Sequence, residues 1–500
     1  MSGKPVPEYA RFCYASDDMD DRAGIDEYTA WENKILAEDS VQHLGQFVGR
    51  QMGHDGPTTF VSHTQGSYNV VFRFRLAAGG HGSDSGTSGR HVALRVPRPG
   101  HTVAALMPEK IENEVHWMQY FEEHAIAKVP HVYSWSASWD NDIGQPFILM
   151  DFMEGESLND CLIRWLRSTD PADRKLFRTS FEQVAALYLS LDRHRFDKIG
   201  CVTRASSGAW AVTRRPLTHD MHDTAVQLRD ATSPMHGWPT GPLRSAAEYQ
   251  ALVASMHSAL QNSLRTINVP ASWHVDQDKR LYCVLQEGAA IDMPRAMETA
   301  RTRILSRYAF AHPDSVAFLQ PQRDADRATD PLPFAIFNPD LGAQNILVDP
   351  KTAHITALID FEYTNAMPAA LARDPPLFLL PYSLEASFKL GTLSVWIEQY
   401  RPAVNAFLGI LEDLEKRQHQ QARDPPLSKQ MRESFESMQW LVRLAYYSLD
   451  FADAVFCEQR HLLPSLDEHL LQIAIQEYQD HTKRQIALYE QELATLTRKK

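Results

Sequence analysis

Two polar segments that follow apolar runs near residue 340 constrain this chain more than any other feature. The first, between Phe337 and Val348, carries Asp340 and, five positions later, Asn345. The second begins with Asp360, twenty positions after Asp340, at the end of another apolar run. Together with a turn at residues 349–351, these runs predict a strand, a loop, a strand, a turn and a third strand. Asp360 directly follows the end of the third strand.

These residue types, in this order, suit phosphoryl transfer from ATP. In such reactions one carboxylate orients the attacking hydroxyl group, while an Asn oxygen and a second carboxylate hold Mg²⁺ on the phosphates. Magnesium prefers oxygen ligands and takes few of them from the protein. A surface β-hairpin with polar ends is the alternative interpretation, but the spacing, the order and the flanking strands favour a phosphoryl-transfer site.

The size and charge of the chain narrow its class. Five hundred residues exceed one ordinary domain, so two lobes or two domains are expected. A composition of 44% hydrophobic and 23% charged residues is typical of a globular protein. The net charge of −13 argues against a nucleic-acid partner, which requires a basic surface. An acidic surface suits cationic substrates, and it is also the commonest device for solubility.

The cysteines and the apolar runs bear on location. The five cysteines are scattered and none has C-x-x-C spacing, which argues for a reducing compartment and against a zinc site. The N-terminal residues lack the apolar core of a signal peptide. No apolar run approaches the ~18 residues that a membrane span needs, so we expect a cytoplasmic protein without a membrane partner.

The region from residue 59 to residue 121 predicts strands followed by a helix. Alternating apolar residues at 70–76 indicate a half-buried strand, and the turn before it holds Gly66, Ser67 and Asn69. A second strand, at 91–97, carries Arg95. In the predicted helix at 109–121, Glu114 falls inside the apolar face, where a carboxylate needs a partner. We expect Arg95 to be that partner. Each of these interpretations has an alternative. The turn at Gly66 could be a simple hairpin turn, Arg95 could be exposed on its strand, and Glu114 could be a boundary residue that reaches solvent.

The apolar run at 146–150 leads into Asp151 and Met153 and then into an acidic segment that contains a glycine. The position of this segment in the order of motifs indicates a connection between two lobes. Any buried strand that leaves a sheet has the same appearance, so the prediction depends on that order.

Taken together, these motifs resemble the aminoglycoside phosphotransferase (APH) family, and in particular its fungal-type members. The catalytic and metal loops of that family have the patterns H-G-D-x-x-x-x-N and I-D-W/F-E/D, which are similar to residues 338–345 and 359–362 here. The resemblance runs from about residue 59 to about residue 376. It implies an α+β, bilobal protein-kinase-like fold, with a small β-sheet N-lobe, a larger and mostly helical C-lobe, and ATP between them.

The resemblance also implies a role for each motif. Asp340 would be the catalytic base that orients an acceptor hydroxyl, and Asn345 and Asp360 would hold Mg²⁺. Arg95, paired with Glu114, would steady the ATP phosphates during an in-line transfer of the γ-phosphoryl group to a small molecule. The other implied nucleotide-binding positions belong to the phosphate turn and the hinge, namely Gly66, Ser67, Asn69, Asp151 and Met153.

Departures from the family pattern keep a second hypothesis open. Asn338 stands where the family usually has His, Pro339 stands where it often has Gly, and the phosphate turn has one glycine. Arg95 replaces the Lys of the kinase strand V-A-I-K, which keeps the charge but changes its geometry. The preferred function is that of an ATP- and Mg-dependent small-molecule kinase. The alternative is a catalytically weak or inactive nucleotide-binding pseudokinase that acts as a scaffold or regulator.

The predicted organisation has three parts: an N-terminal extension at 1–55, an N-lobe at 56–153 and a helical C-lobe at 154–500. The extension would pack on the core or partly float. An insert at about 203–330 would help to build the acceptor cleft or decorate the surface. An amphipathic helix at about 465–498 begins with capping-box spacing, and we expect it to dock on the core or to bind a protein partner.

Overall fold

The computed structural model describes most of the chain. The described backbone comprises residues 18–77, 89–228, 235–263, 271–275, 281–285, 293–320, 332–417 and 425–497. The start of the predicted N-terminal extension, several parts of the predicted insert and the end of the predicted C-terminal helix lie outside these residues.

Among the described residues, five antiparallel strands form the sheet of the smaller, N-terminal lobe. The strands are β1 (Thr58–Gln65), β2 (Asn69–Leu76), β3 (Arg90–Pro97), β4 (Val132–Ser136) and β5 (Phe147–Asp151). The helices α1 (Asp18–Ile35), α2 (Glu38–Gln51) and α3 (Met107–Glu123) accompany them. The strand order is β1-β2-β3-β5-β4, so β3 lies at the centre with β2 and β5 on its sides. The strands predicted at 70–76, 91–97 and 146–150 are thus confirmed.

One face of the sheet is covered by the N-terminal helices. Side chains alternate along β2, and Phe72 and Phe74 on the covered face are fully buried. Phe47 and Val48 of α2 belong to the same apolar cluster. The sequence left two arrangements open for the N-terminal extension, and its described helices pack on the sheet.

Helix α3 connects the sheet to the C-terminal lobe. The apolar face predicted from its periodicity is buried, and the helix extends two residues beyond the predicted bounds at each end. Glu114 is 1% exposed on this face, whereas Glu112 lies on another side of the helix and pairs with Arg214. The burial of Glu114 was therefore predictable from helical spacing.

The C-terminal lobe is mostly helical, so the fold is α+β with two lobes, as the sequence predicts. Its helices are α4 (Leu158–Arg167), α5 (Pro171–Asp192), α6 (His219–Gln227), α7 (Ala246–Ser263), α8 (Met293–Ala311), α9 (Leu384–Leu390), α10 (Leu393–Arg417), α11 (Leu427–Glu436), α12 (Gln439–Leu444), α13 (Ala452–Gln459) and α14 (Glu468–Thr497). Its strands are β6 (Glu156–Ser157), β7 (Arg195–Phe196), β8 (Cys201–Arg204), β9 (Trp210–Arg214), β10 (Ala271–Val275), β11 (Leu281–Leu285), β12 (Phe334–Phe337), β13 (Ile346–Val348), β14 (Ile355–Leu358) and β15 (Asn365–Pro368).

The predicted strands around residue 340 are β12, β13 and β14. Strand β12 lies between β15 and β7 in one small sheet, and β13 lies between β14 and β6 in another. The loop from β12 to β13 contains Asp340 and Asn345, and Asp360 follows β14. The two small sheets therefore present these three residues at neighbouring strand ends.

The prolines at 368, 375 and 376 predict an irregular segment at 365–376, and this prediction was wrong at its start. Residues 365–368 form β15, which pairs with β12 in the register Phe334↔Pro368. The proline is tolerated because β15 is an edge strand, where the missing N–H leaves no ladder bond unmade. Short 3₁₀ turns follow at 371–373 and 377–379.

Helix α14 closes the described chain and packs on the C-lobe. Leu471, Tyr478 and Ile486 are buried, and the Tyr478 hydroxyl donates a hydrogen bond to the Gln261 carbonyl oxygen at 3.3 Å. Leu470 on the same helix is half exposed. Among the described residues, no helix combines the length and the apolar character that crossing a membrane requires.

Candidate active site

Backbone geometry brings Asp340, Asn345 and Asp360 together. After β12, the chain turns back so that the Asn345 side-chain amide nitrogen donates to the Asp340 carbonyl oxygen at 2.9 Å. The backbone N–H of Ile359 donates to the Asn345 carbonyl oxygen at 3.0 Å, which joins the end of β14 to the same loop. The two loops that the sequence predicted to cooperate are therefore in direct contact.

Asn338 ties these loops by its side chain. Its amide nitrogen donates to the Asp360 carbonyl oxygen at 3.0 Å, and its amide oxygen accepts from the Asp340 backbone N–H at 2.8 Å. Asp360 has a φ of +69°, which is unusual for a residue with a side chain and occurs mostly at constrained sites. Asn338, which the sequence marked only as a departure, thus holds both carboxylate-bearing loops in register.

Arg95 is surrounded by carboxylates. The predicted ion pair with Glu114 is present, with 3.2 Å between Arg95 Nε and Glu114 Oε2. In addition, Arg95 Nη2 lies 2.7 Å from Asp360 Oδ1 and 2.9 Å from Glu362 Oε2. The central strand β3 therefore places its cation directly on the predicted metal carboxylate.

Glu362 is a functional candidate that sequence reasoning missed. One oxygen, Oε2, lies 3.1 Å from Lys110 Nζ and accepts from Asn69 Nδ2 at 2.8 Å, in addition to its contact with Arg95. Burial alone raises the pKa of Glu362, but Lys110 and Arg95 outweigh burial and lower it to about 2. Glu362 is the fourth residue of the segment at 359–362, so its place in the motif was visible in the sequence. Its partners could not be predicted, because they come from distant parts of the chain.

The phosphate turn lies against this cluster. The Gly66 N–H donates to the Asn69 carbonyl oxygen at 2.8 Å and closes the turn between β1 and β2. Ser67 is exposed at the tip, and Asn69 is buried because its side chain reaches Glu362. Of the three predicted turn residues, the structure joins Asn69 directly to the carboxylate cluster.

A second polar cluster, which the sequence did not reveal, joins the phosphate turn to α6. The Tyr68 hydroxyl lies 2.9 Å from His219 Nε2 and donates to Asp223 Oδ1 at 3.1 Å. His219 Nδ1 lies 3.1 Å from Asp223 Oδ2. When the single Tyr68 proton goes to Asp223, His219 donates from both ring nitrogens as an imidazolium; when it goes to His219 Nε2, the ring is neutral and donates to Asp223 from Nδ1.

The electrostatics of this second cluster extend to Asp340. Burial raises the pKa of Asp340 to about 6, the neighbouring carboxylates Asp360 and Glu362 add to the shift, and His219 opposes it. Burial lowers the pKa of His219, but Asp223 and Asp340 outweigh burial and raise it. A cationic His219 therefore stabilises the carboxylate form of Asp340.

The predicted hinge residues lie between the lobes, apart from this cluster. Asp151 ends β5, and its side chain contacts Tyr133 and lies 3.2 Å from Arg90 Nη2. Its backbone N–H donates to the His131 carbonyl oxygen at 3.0 Å. Met153 is half-buried in the connection from β5 to β6. A nucleotide-binding role of either residue stays a prediction.

Comparison with solved structures gives distant similarities. An aminoglycoside-3'-phosphotransferase of type VIII is 15% identical, with 74% of this chain and 97% of that chain covered and a TM-score of 0.30. The aminoglycoside phosphotransferase APH(3'')-Id from Streptomyces rimosus is 14% identical, with 79% and 98% covered and a TM-score of 0.32.

Curated relatives come from fungi. A subtelomeric hrmA-associated cluster protein of Aspergillus fumigatus is 25% identical over 334 residues, which are 63% of this chain and 59% of that protein. A second relative, from Meyerozyma guilliermondii, has the name "Altered inheritance of mitochondria protein 9, mitochondrial". It is 22% identical over 356 residues, which are 66% of this chain and 52% of that protein. The chain thus spans less than two thirds of the length of these relatives.

A family model gives the decisive match. The model of the phosphotransferase enzyme family, APH, matches residues 75–371, which is more than half of the 500 residues. This span contains Arg95, Glu114, Asp340, Asn345 and Asp360. The chain belongs to the APH phosphotransferase family.

Proposed function

We propose that this protein transfers the γ-phosphoryl group of Mg²⁺-bound ATP to a hydroxyl group of a small molecule. The observation that carries the proposal is the hydrogen-bonded arrangement of Asp340, Asn345 and Asp360, which Asn338 holds in register. Phosphoryl transfer depends on positioning and on charge stabilisation, and a pair of loops joined by hydrogen bonds supports both. Membership of the APH family supports the same reaction class.

The donor set fits a magnesium ion. The amide nitrogen of Asn345 is used by the Asp340 carbonyl oxygen, which leaves the amide oxygen as the group for a cation. Asp360 uses Oδ1 for Arg95 and retains Oδ2 as a second oxygen ligand. One amide and one carboxylate oxygen are the few protein ligands that Mg²⁺ takes beside phosphates. A bound Mg²⁺ ion would neutralise phosphate charge.

The charges around Arg95 also fit a cation. Glu114, Asp360 and Glu362 are three acidic groups within 3.2 Å of this guanidinium, and Lys110 is the second base on Glu362. Burial raises the pKa of Glu114 to about 8, so this group is largely protonated at neutral pH, and Asp360 and Glu362 are the carboxylates that face the two bases. A cation on Asp360 would replace Arg95 there and release part of its guanidinium for the phosphates.

In the proposed reaction, the carboxylate of Asp340 orients the acceptor hydroxyl and accepts its proton. The imidazolium of His219 keeps Asp340 ionised, and its bond to Tyr68 holds the phosphate turn over the cleft. Arg95 holds the phosphates from the N-lobe side. These residues bind and orient the reactants, which is the main contribution of a phosphotransferase.

A nucleotide-binding pseudokinase is the second candidate, and one observation favours it. Arg95 Nη2 contacts two carboxylates, Asp360 and Glu362, so a phosphate must compete with both. A scaffold that binds nucleotide weakly or without turnover would have this property.

Calorimetry of Mg-ATP binding separates the two candidates when it is combined with turnover. The wild type is compared with Asp360→Asn, and Asp349→Asn is the matched control, because Asp349 lies in the turn at the other end of the β13–β14 pair and its side chain accepts a hydrogen bond from the Lys351 N–H. We expect magnesium-dependent binding that only Asp360→Asn loses. We then expect ATP consumption with a panel of hydroxylated compounds, and Asp340→Ala should abolish this consumption while it spares binding.

Each other outcome has a clear meaning. Binding without turnover on any acceptor would favour the pseudokinase. Undiminished turnover by Asp340→Ala would remove Asp340 from its role as the base, and no binding by a folded wild type would contradict both candidates.

A further inference from the structure

A cavity of about 190 Å³ lies behind the catalytic loop. Its walls are the C-terminal end of α5, strand β12 with the following loop, Phe361, and the segment 371–378. Pro339 and Leu341 line it, whereas Asp340 between them does not. The loop therefore presents its carboxylate to the cleft and its apolar flanks to the cavity.

The cavity is partly open to solvent and has room for a small molecule. Natural cores are close-packed, and apolar cavities of about 150 Å³ stay dry and bind compounds such as benzene. Aromatic and aliphatic side chains dominate the wall, among them Tyr188, Phe337, Phe361 and Phe378. Asn338 also lines the cavity, and its side chain is shorter than the His that the family usually has there.

The wall carries two carboxylates, and arginines neutralise both. Asp192 pairs with Arg195 and lies 3.9 Å from Arg373 Nε. Asp374 Oδ1 lies 2.5 Å from Arg443 Nη1. A charged ligand would therefore find no unbalanced partner charge in this wall, and burial without such a partner is costly. The cavity suits a neutral ligand.

Two residues of the wall each carry a buried side-chain oxygen that lacks a partner among the described residues. Thr364 is fully buried, and its hydroxyl has no hydrogen-bond partner among the described residues. The same holds for Asp374 Oδ2. Thr364 and Asp374 are both cavity-lining residues. Buried polar groups normally have partners, so a side-chain rotation that brings either oxygen into the cavity would favour a ligand with a hydrogen-bond donor such as a hydroxyl or an N–H group.

We propose that this cavity is a binding site for a small, neutral aromatic molecule with one hydrogen-bond donor, separate from the nucleotide site. Such a ligand packs against the apolar flanks of the catalytic loop and stiffens the segment that carries Asp340. Occupancy of the site then controls how rigidly Asp340 is held. The proposal concerns binding alone and does not depend on the proposed function.

The test uses 2-naphthol as the probe on the full chain. Naphthalene, which lacks the hydroxyl, and 2-naphthoate, which is charged, are the matched probes. Ala335→Leu fills the cavity from β12, and Ala403→Leu is the control, because Ala403 lies on α10 and is not part of the cavity lining. Thr364→Val removes the hydroxyl and keeps the shape. Binding is measured by fluorescence, thermal unfolding and hydrogen exchange.

We expect saturable binding of 2-naphthol to the wild type and to Ala403→Leu, and a loss of about tenfold or more in affinity for Ala335→Leu. Thr364→Val should weaken 2-naphthol several-fold and leave naphthalene unchanged. Naphthoate should bind least. Hydrogen exchange should slow at 335–342 and 371–378, and saturating Mg-ATP should not displace the probe.

The proposal is overturned if the folded wild type shows no saturable binding, or if a folded Ala335→Leu variant binds as well as the wild type. Protection confined to other segments, or displacement by Mg-ATP, would equally place the probe elsewhere. If Ala335→Leu does not fold, the hydrogen-exchange pattern of the wild type and the Thr364→Val comparison still decide the question.

Discussion

The side-chain amide of Asn338 donates a hydrogen bond to the backbone carbonyl oxygen of Asp360 at 3.0 Å. The same side chain accepts from the Asp340 N–H, so one residue fixes the distance between the predicted base and the predicted metal carboxylate. A His at this position in the family is larger, but the function of tying two loops needs only one donor and one acceptor, which an Asn provides.

Asn338→Ala should lower the turnover number roughly 10- to 100-fold, because small misplacements of a catalytic loop have effects of this size. Mg-ATP affinity should change much less. Asn338→Asp keeps the acceptor for the Asp340 N–H but places a charge at the Asp360 carbonyl oxygen, so it should be nearly as impaired. Steady-state kinetics beside calorimetry checks both variants, and normal turnover by Asn338→Ala would show that the tie is dispensable.

Arg95→Lys should weaken Mg-ATP binding by roughly tenfold or more, since an ammonium cannot make the contacts of the guanidinium fork with Glu114, Asp360 and Glu362. Arg95→Ala should weaken it further. Arg75→Ala is the control, because Arg75 is exposed on the neighbouring strand β2. Calorimetry on folded variants decides the result, and an unchanged dissociation constant would remove Arg95 from the nucleotide site.

Glu362→Gln should lower the free energy of unfolding by about 3 kcal/mol at pH 6, because it removes the charge that Lys110 and Arg95 share. The folded pKa of Glu362 is about 2 and the unfolded value is 4.5. Its contribution is therefore complete above pH 4.5 and disappears as the pH falls towards 2. Urea unfolding at pH 6 and pH 3.5 should show that the difference between wild type and variant shrinks by about 1 kcal/mol. If the difference in unfolding free energy between wild type and Glu362→Gln were the same at both pH values, the lowered pKa of Glu362 would be contradicted.

Turnover should fall on the acid side with an apparent pKa near 6, because burial and nearby carboxylates raise the pKa of Asp340 to about 6. Below that pH the carboxyl is protonated and cannot accept the acceptor proton, so the rate should drop about tenfold per pH unit. Asp340→Asn should leave a low rate without this limb. If the residual rate of Asp340→Asn fell with the same apparent pKa, the titrating group would be a residue other than Asp340.

Tyr68→Phe should loosen the contact between the phosphate turn and α6. The hydroxyl that contacts both His219 and Asp223 is lost, while the ring stays over Lys110, whose Nζ lies 4.8 Å from its centroid. We expect Mg-ATP affinity to fall a few-fold and hydrogen exchange to rise at residues 65–70 and in α6. Tyr382→Phe, at an exposed position, is the control. Unchanged exchange in Tyr68→Phe would show that the contact does not hold the turn.

Local patterns predicted several elements around the candidate site correctly. The strands around Asp340 and the helix that carries Glu114 follow from alternation and helical spacing. The pairing of Glu114 with Arg95 follows instead from the need of a buried carboxylate for a partner and from the kinase-like order of the motifs. The strand at 365–368 was missed because prolines suggest irregular structure, and an edge position in a sheet cannot be seen in one segment.

Contacts between distant segments were not predictable in the same way. Glu362 meets Asn69 and Lys110, and Tyr68 meets His219 across 151 positions of sequence. None of these pairs has a fixed spacing, since each depends on how the two lobes come together.

The sequence by itself determined the family, the α+β class and the residues that carry the predicted chemistry, because short-range spacing dictates strands, helices and the loops between them. Only the tertiary structure decided which groups surround those residues. Burial of Glu362 beside two cations, the Asn338 tie and the cavity behind the catalytic loop arise when separate elements pack together. Charge, pKa and packing depend on those neighbours, whatever their distance along the chain.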